Sequence, residues 1–502
     1  MNPERLGNDR HDLTSTRRLT KNVLLNLVAQ GGPLLASLFC IPILVHRLGT
    51  EQFGILTLAW AIIGYFGIFD FGLGRALSKI VAERLGLRDF NSIPAFFWTG
   101  IVMMWVFGLV AAGILGGGAS YAVKHILHIS IAFQHETLIV LYLLAATIPF
   151  VITTSGMMGV IAAYQRFDLV AKINIPLGTW MFLGPVIAVL IFHTLISVIA
   201  MMVIGRCVMA IMAWWMCNKS VGNLGRPIVR RDVLRPLLGF GSWVTVSNLV
   251  SPIMEYMDRF FIAAVLGLSA VAYYATPFTV AMKFQMFPII LLTVLFPALS
   301  TMLVYDRAKV GRVFEITTFI LFFVMLPITI VIVAFGNYGL TIWLGKDFAN
   351  HSAVVLQILM IGIFTNSLAF LPYALIQADG RPDITAILHL IELPAYLVIL
   401  WYALHAWGIV GAAVAWSLRV TIDCILLFLI AAFKVKCRIP NRLIIVGTVL
   451  ICSCLILEKI NNMVARGIVC ALILGLIALW GWRILLEFQE RSDINKLTNK
   501  YF

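Results

Sequence analysis

Charged residues are scarce in this sequence, and acidic residues are the scarcest of them. Only 12% of the 502 residues are charged, with 23 Asp and Glu against 37 Lys and Arg, whereas about 25% of the residues of a soluble protein are charged. Hydrophobic residues make up 61% of the chain, and the mean hydropathy is +0.98. This composition excludes a soluble globular protein and predicts an all-α protein that crosses a membrane many times.

Several sequence motifs are also absent. No GxxxxGK[ST] motif occurs, which excludes an ATP-binding motor within the chain, and HExxH, GxSxG and CxxC are missing as well. The eight cysteines lie in apolar segments or in the loop around Cys437, so we predict no disulfide framework. No cleavable signal peptide is visible, because the first apolar stretch is too long for one. Three histidines share one outer loop without the spacing of a metal site, and we expect neither a metal nor a cofactor.

Apolar stretches of membrane length recur along the chain. About fourteen of them are predicted to be transmembrane helices, each needing about 20 residues, with short loops between them. The predicted spans are residues 22–46, 53–77, 94–116, 137–162, 176–192, 195–217, 238–266, 271–302, 313–336, 353–377, 384–404, 409–432, 442–458 and 467–486. Three of the breaks, near 193, between 266 and 271, and between 404 and 409, leave very few residues between neighbouring spans.

Positive charge is concentrated on one predicted side of the membrane. An even number of spans places both termini on the same side, and 27 of the 37 Lys and Arg residues fall there, against five on the other side. Because Lys and Arg accumulate in cytoplasmic loops, both termini are predicted to be cytoplasmic. The net charge of +14 is therefore a topology signal, and it requires no nucleic-acid partner.

A weak internal repeat relates two parts of the chain. Residues 163–171 resemble residues 378–386 at an offset of 215, and the Leu-Gly pair ending at Gly49 matches the pair ending at Gly267. An offset of six spans preserves orientation, which predicts two six-helix lobes related by a pseudo-two-fold axis along the membrane normal. The predicted parts are a cytoplasmic tail at 1–20, an N-lobe at 21–217, a basic cytoplasmic linker at 218–237, a C-lobe at 238–433, two peripheral helices within 434–486, and a cytoplasmic tail at 487–502.

Charges inside the predicted spans are few, and each costs several kcal/mol unless it is paired or faces water. The stretch 239–267 concentrates them, because Glu255, Asp258 and Arg259 follow Pro252 there. Two interpretations are open. Glu255 and Arg259 stand at i and i+4 and can neutralise each other on one helix, or the group lines a polar path through the protein.

Three cations in the spans have no repeat mates, which makes them candidate ligands for an anionic substrate: Arg75, Arg259 and Lys283. Arg presents forked donors to phosphate oxygens, and Lys presents a compact point charge. Lys283 lies mid-span with no acid within one turn, so either an acid from another span pairs with it or a cavity holds it for a ligand. Arg206 and Arg419 recur at matching positions, which favours a structural role for them.

The acids Asp70, Glu255 and Asp258 are expected to lie nearest to these cations. They either orient the cations by pairing with them or bind H⁺ or Na⁺ for coupled transport, and the sequence leaves both interpretations open. Glu392 and Asp423 are further acids inside predicted spans.

Three stretches of this chain, taken in order, resemble the polysaccharide and O-antigen flippases of the multidrug/oligosaccharidyl-lipid/polysaccharide (MOP) exporter superfamily. They are NVLLNLVAQGGPLLASLFCIPILVHRLGTEQFGILTLAW, FDFGLGRALSKIVAE and MDRFFIAAVLGLSAVAYYAT. The resemblance implies two six-helix lobes around a V-shaped cavity, plus two peripheral helices. It also implies flipping of undecaprenyl-pyrophosphate-linked oligosaccharide from the inner to the outer leaflet by alternating access. Spans 1, 2, 7 and 8 line the cavity in the family, which would place Arg75, Arg259 and Lys283 near it.

The leading hypothesis is therefore a lipid-linked oligosaccharide flippase of the bacterial inner membrane and not an enzyme. Its expected partners are the undecaprenyl-linked glycan, membrane lipids, H⁺ or Na⁺, and a polymerase or chain-length protein. An ion-coupled exporter of cationic small molecules, similar to MATE transporters, is disfavoured by unpaired cations in the cavity. A membrane glycosyltransferase or polymerase is disfavoured because the longest outer loop, residues 117–136, contains Glu136 as its only acid.

The charge distribution makes a testable topology prediction. A reporter fused at Phe502 should behave as cytoplasmic, and a reporter fused near Lys124 should behave as periplasmic, because Lys and Arg are retained on the cytoplasmic side. Paired alkaline phosphatase and fluorescent-protein fusions measure this directly. A periplasmic C-terminus would show that the span count is wrong.

Overall fold

The computed structural model describes residues 16–68, 73–127, 129–222, 229–234, 242–305, 307–434 and 462–501, with a few isolated positions between these ranges. Residues 16–30, 242–249 and 484–501 are described at the backbone only. Several predicted features lie outside the described residues: Asp70, most of the N-terminal tail, part of the 218–237 linker, most of the predicted span at 442–458, and Phe502.

Long α-helices account for nearly all of the described chain. In order they are α1 Thr16–Ile68, α2 Leu73–Gly86, α3 Ile93–Tyr121, α4 Ile131–Ala163, α5 Phe167–Phe192, α6 Leu195–Val221, α7 Ser242–Val265, α8 Leu268–Lys283, α9 Met286–Tyr305, α10 Arg307–Leu344, α11 Lys346–Ala378, α12 Pro382–Lys434 and α13 Met463–Tyr501. A π-helical turn, Ala122–Ile126, continues α3. The prediction of an all-α, multi-span membrane protein is confirmed.

Within the described ranges, ten helical stretches are long and apolar enough to cross a membrane. Two of these stretches include a break between predicted spans. The stretch in α12 contains the predicted spans 384–404 and 409–432 with a break at Gly408 (φ 58°, ψ −140°), and the stretch in α1 covers parts of the predicted spans 22–46 and 53–77 with a break at Gly49 (φ 74°, ψ 169°). Glycine adopts such angles at no steric cost. The charged helix α7 is not among the ten, so the total of fourteen spans stays a prediction.

One predicted span is not continuous. The sequence interpretation placed a single helix over residues 271–302, but α8 ends at Lys283 and α9 begins at Met286. Pro288 supplies the physical reason, because proline donates no backbone N–H and its ring collides with the carbonyl four residues earlier, here that of Phe284. Lys283 therefore lies at an interruption within the apolar stretch Leu268–Leu292, which is long enough to cross a membrane, and its predicted mid-span position stays a prediction.

The chain divides into two units, Met1–Ala275 and Thr276–Phe502. In the first unit α3 packs on α4, α1 on α5, and α4 on α6, while α7 packs on α1. In the second unit α11 packs between α10 and α12, and α13 packs on α10. The division falls inside α8 and not in the linker at 218–237, so the predicted lobe limits stay predictions.

The internal repeat is visible as the same loop in each unit. Arg166 forms two hydrogen bonds with Asp168, of 3.0 and 3.1 Å, and Arg381 bonds Asp383 in the same two-pronged manner. The preceding residues, Gln165 and Gly380, both have positive φ. Backbone bonds to each arginine also match, from Arg166 N–H to the Ile161 carbonyl and from Arg381 N–H to the Ile376 carbonyl, at 3.2 Å each. The predicted relation between 163–171 and 378–386 is thus confirmed in local structure.

A third arginine-aspartate pair follows the same spacing outside the membrane spans. Arg230 bonds both carboxylate oxygens of Asp232, at 3.1 and 2.8 Å. These hydrogen bonds hold the pKa of Asp232 below its ordinary value. Such exposed pairs shape the loops between helices and contribute little to overall stability.

The packing of α5 on α6 depends on one tryptophan. Trp180 donates from Nε1 to the Met201 carbonyl at 2.9 Å. Its ring lies against Gly205, where a Cβ would collide with it, and also approaches Gly184. Small residues let a large side chain approach the helix backbone closely, so Gly205 and Trp180 determine how near the two helices lie.

We expect Gly205→Leu to destabilise the protein by about 1–3 kcal/mol, because the new side chain must displace the Trp180 ring. The fall in the thermal unfolding midpoint of the purified protein measures this. Gly113→Leu is the matched control, since a Cβ at Gly113 meets no atom within 4 Å. Equal midpoints for the two variants would contradict the packing role.

Candidate functional site

The charged turn of α7 is the centre of the candidate site. Pro252 removes one backbone hydrogen bond from this helix, and Glu255, Asp258 and Arg259 follow within two turns. Asp258 is fully buried and Arg259 is 7% exposed. Each of the three residues has an interaction partner. All three lie on α7 within the first unit.

Asp258 is held by two short hydrogen bonds. Its Oδ1 accepts from the Arg259 backbone N–H at 2.7 Å, and its Oδ2 accepts from the Tyr274 hydroxyl at 2.6 Å. Gly267, with φ 87°, turns the chain between α7 and α8, which brings Tyr274 alongside Asp258. A carboxylate with two donors is stabilised in its charged form. This geometry favours the pairing interpretation for Asp258.

Tyr256 links α7 to α1. A Cβ on Gly64 of α1 would come within 2.8 Å of the Tyr256 hydroxyl oxygen, so a larger residue there would have to displace the tyrosine. The guanidinium of Arg259 lies 5.1 Å from the centre of the Tyr256 ring, within the range of a cation–π contact. Nearer the end of α7, a Cβ on Gly54 would collide with the Leu268 carbonyl. Close backbone approach therefore sets the position of Arg259 relative to α1.

Lys283 lies at the interruption between α8 and α9. Lys283 is half-buried, and its ammonium makes no hydrogen bond or ion pair with any residue that the structure describes. The next two N–H groups form tight turns, from Phe284 to Ala281 and from Gln285 to Met282, at 3.1 Å each. Gln285 is 7% exposed, and its Nε2 has no partner within the described parts of the chain. The interruption thus carries a half-buried lysine and, two residues later, a buried glutamine amide.

The three predicted cations are divided between the two units. Arg75 is exposed on α2 and forms no hydrogen bond or ion pair with another described residue. Lys283 belongs to the second unit, whereas Arg75 and Arg259 belong to the first. The convergence of the three cations on one cavity therefore stays a prediction.

Three polar residues in these regions did not appear among the predicted site residues. Tyr256 and Tyr274 contact the charges of α7, and His389 lies beside Glu392 in α12. The sequence signal for His389 was its i, i+3 spacing to Glu392, which places both on one helix face. No comparable signal exists for Tyr274, because its partner is sixteen residues away across a turn.

The sequence of the chain is similar to those of known polysaccharide and O-antigen transport proteins. The family described as polysaccharide biosynthesis protein matches residues 19–303. A putative O-antigen transporter of Shigella flexneri is 30% identical over 411 residues, which are 82% of this chain and 96% of the relative.

Solved structures share the fold. An inward-facing MATE multidrug transporter of the MOP superfamily has a TM-score of 0.68 and 14% identity, and the match covers 82% of this chain and 98% of that one. The lipid II flippase MurJ, in an inward closed conformation, has a TM-score of 0.66 and 11% identity, with 93% and 100% covered. At such identities the likeness establishes the fold alone.

The hydrogen bond between Tyr274 and Asp258 makes a prediction about stability. Tyr274→Phe should destabilise the protein by about 1–3 kcal/mol, because the buried Asp258 carboxylate loses one of its donors. The thermal unfolding midpoint is the measurement, and Tyr142→Phe, an exposed tyrosine of α4, is the control. An unchanged midpoint for Tyr274→Phe would mean that Asp258 does not depend on this donor.

Proposed function

The chain belongs to the polysaccharide biosynthesis protein family, and on that premise we propose that it flips undecaprenyl-pyrophosphate-linked oligosaccharide from the inner to the outer leaflet. The family match and the relatives support a multi-pass, flippase-type polysaccharide transporter of the MOP superfamily that is not an enzyme. Our proposal adds the identity of the carrier lipid, the direction of transport and the coupling to an ion gradient. The bacterial inner membrane is the proposed location, with both termini in the cytoplasm and a polymerase or chain-length protein as a partner.

The observation that carries the proposal is the helix interruption at Lys283. Transporters commonly form their substrate sites from discontinuous helices, because the freed polar groups at a break can bind a ligand. Here the break carries Lys283, whose ammonium has no ion-pair partner in the described chain. A cation without a protein partner at a helix break suits an anionic ligand such as a pyrophosphate group.

Arg259 and Arg75 have different roles in this proposal. Arg259 is buried against Tyr256. It would therefore attract the anionic substrate mainly through the electrostatic potential of its positive charge, with little direct contact. Arg75 is exposed and would contact the pyrophosphate directly if the predicted cavity reaches it. The likeness to MATE transporters rests on 14% identity and does not favour export of cationic drugs.

The acids of the first unit retain both proposed roles. Glu255, Asp258 and Asp70 are proposed either to orient the substrate-binding cations or to carry H⁺ or Na⁺. The two donors on Asp258 support the orienting role for that residue.

Lys283→Ala tests the proposal. The variant should accumulate in the membrane at the wild-type level, since no described acid is left unpaired by its loss, but glycan export should fall strongly. Lys283→Arg should restore part of the export because it keeps the positive charge. The measurement is surface glycan in a strain that lacks its own flippase, with the membrane level of the protein determined by immunoblot.

The matched control is Lys124→Ala, which removes an exposed lysine from the loop that is predicted to lie on the outer side. It should leave export unchanged. Wild-type export by a normally accumulated Lys283→Ala protein would overturn the substrate-contact role of Lys283.

A further inference from the structure

The exposed side of α6 ends in a tryptophan and a lysine that stand one helical turn apart. Ile204, Val208, Ile211 and Trp215 are all more than half exposed, and their spacing of three or four residues places them on one face of the helix. Lys219 continues the same face and is exposed as well, whereas the opposite face of α6 is buried. In a protein that crosses a membrane, an exposed apolar stripe of this kind contacts lipid chains.

The length of α6 places this pair at the membrane boundary. From Leu195, its first residue, to Trp215 the helix rises about 30 Å, which is the thickness of the hydrocarbon core. Tryptophan is enriched at the level of the lipid headgroups, and Lys219 lies about 6 Å further along the axis. The Lys219 ammonium is 5.3 Å from the centre of the Trp215 ring, within the range of a cation–π contact. The lysine therefore lies at the depth of the lipid phosphates.

Part of the linker packs at the same end of the first unit. The ring of Trp214 lies 5.3 Å from that of Trp98, near the start of α3. On α3, the Thr99 hydroxyl accepts from the Arg230 backbone N–H at 3.2 Å. Val233 is buried in a core that also contains residues of α2, α3 and α6. These contacts fix the linker residues beside the helix ends.

Cations outnumber acids at this end of the first unit. We call the segments 83–92, 215–222 and 229–234 the basic rim. The first segment belongs to the same end because the Arg84 guanidinium lies 5.2 Å from the centre of the Phe96 ring of α3. The rim contains five cations and three acids: Arg84, Arg88, Lys219, Arg230 and Arg231, against Glu83, Asp89 and Asp232.

Two of these acids are already paired. Asp89 accepts from Arg84 at 3.0 Å, and Asp232 accepts from Arg230 at 2.8 Å. The other three cations are exposed, and none of them forms an ion pair with a residue that the structure describes: Arg88, Lys219 and Arg231. Positive charge is therefore left over for an anion from outside the chain.

Apolar side chains are exposed beside these cations. Leu87 and Phe90 flank Arg88, and Val229 precedes Arg231 by two residues; these three apolar residues are 66%, 49% and 54% exposed. The boundary of a bilayer accommodates both kinds of side chain, because cations reach the phosphates while apolar groups enter the acyl region. A soluble anion or a nucleic acid would contact only the cations. The combination favours a lipid.

We propose that the basic rim binds one anionic phospholipid of the surrounding leaflet, with Lys219 and Arg231 contacting its phosphate and an acyl chain lying along the exposed stripe of α6. Phosphate oxygens accept hydrogen bonds from both types of side chain. Basic pockets beside transmembrane helices on the cytoplasmic side bind such headgroups, and the charge distribution predicts that the rim lies on that side. The site shares no residue with the proposed glycolipid contacts, so failure of the glycan proposal would leave it standing.

The test uses the purified full-length protein in a neutral detergent. The thermal unfolding midpoint is measured while phosphatidylglycerol, phosphatidylcholine or inorganic phosphate is added over the same concentration range. Phosphatidylglycerol should raise the midpoint, because a ligand that binds the folded state stabilises it. Phosphatidylcholine carries no net charge and inorganic phosphate carries no acyl chain, so each should give a much smaller rise.

Variants assign the response to the rim. Lys219→Ala and Arg231→Ala should each raise the phosphatidylglycerol concentration at half response about fivefold, and the double variant about 30-fold, since each removes one cation near an anionic headgroup. Lys219→Arg combined with Arg231→Lys keeps both charges and should keep most of the affinity. The matched control, Lys124→Ala with Arg312→Ala, removes one exposed lysine and one exposed arginine elsewhere and should leave that concentration unchanged.

Three results would overturn the proposal. A wild-type midpoint that phosphatidylglycerol does not raise would leave the rim to a protein partner. An equal rise with phosphatidylcholine or with inorganic phosphate would show that the charge or the chain has no part in binding. A double alanine variant with the wild-type response would place the lipid elsewhere. Should that variant be unstable, Lys219→Gln with Arg231→Gln removes the same charges while keeping polar side chains, and the same expectation applies to it.

Discussion

The cost of leaving a polar group without a partner in a hydrocarbon environment is the constraint on which this structure depends. Backbone groups avoid this cost by forming long helices, since a helix pairs its own N–H and carbonyl groups. Each charged side chain has to find its own partner. Asp258 does so with two hydrogen bonds, and Arg259 does so in part by packing over the Tyr256 ring. Polar residues that do not meet it therefore stand out from the rest of the protein.

Glycine and proline decide where the helices are interrupted. Gly49, Gly267 and Gly408 adopt positive φ at turns between consecutive helical segments, and Pro288 interrupts the span that contains Lys283. Each interruption releases backbone groups from the helical pattern. The candidate substrate contact lies at one of these breaks, and the buried acids Glu392 and Asp423 lie on either side of another, at Gly408.

The two units share the structure of one loop but differ in their buried polar residues. Their loops at Arg166–Asp168 and Arg381–Asp383 agree in hydrogen bonds and in backbone angles. Their polar interiors do not agree. The first unit satisfies Asp258 with Tyr274, whereas the second leaves Glu392 and Asp423 without hydrogen-bond partners in the described chain. A repeated fold thus supplies the scaffold, and unmatched polar residues give each unit its own chemistry.

The sequence by itself determined the class of the protein, the positions of most helices and the existence of the repeat. These follow from composition, from apolar length and from local motifs, which act over a few neighbouring residues and need no knowledge of packing. Even the break at Lys283 had a local signal in Pro288. Tertiary structure alone decided which partner each buried charge has. Tyr274 reaches Asp258, and His389 meets Asp423, only because a turn brings distant residues together, and the energy of a charge depends on those neighbours and not on its place in the chain.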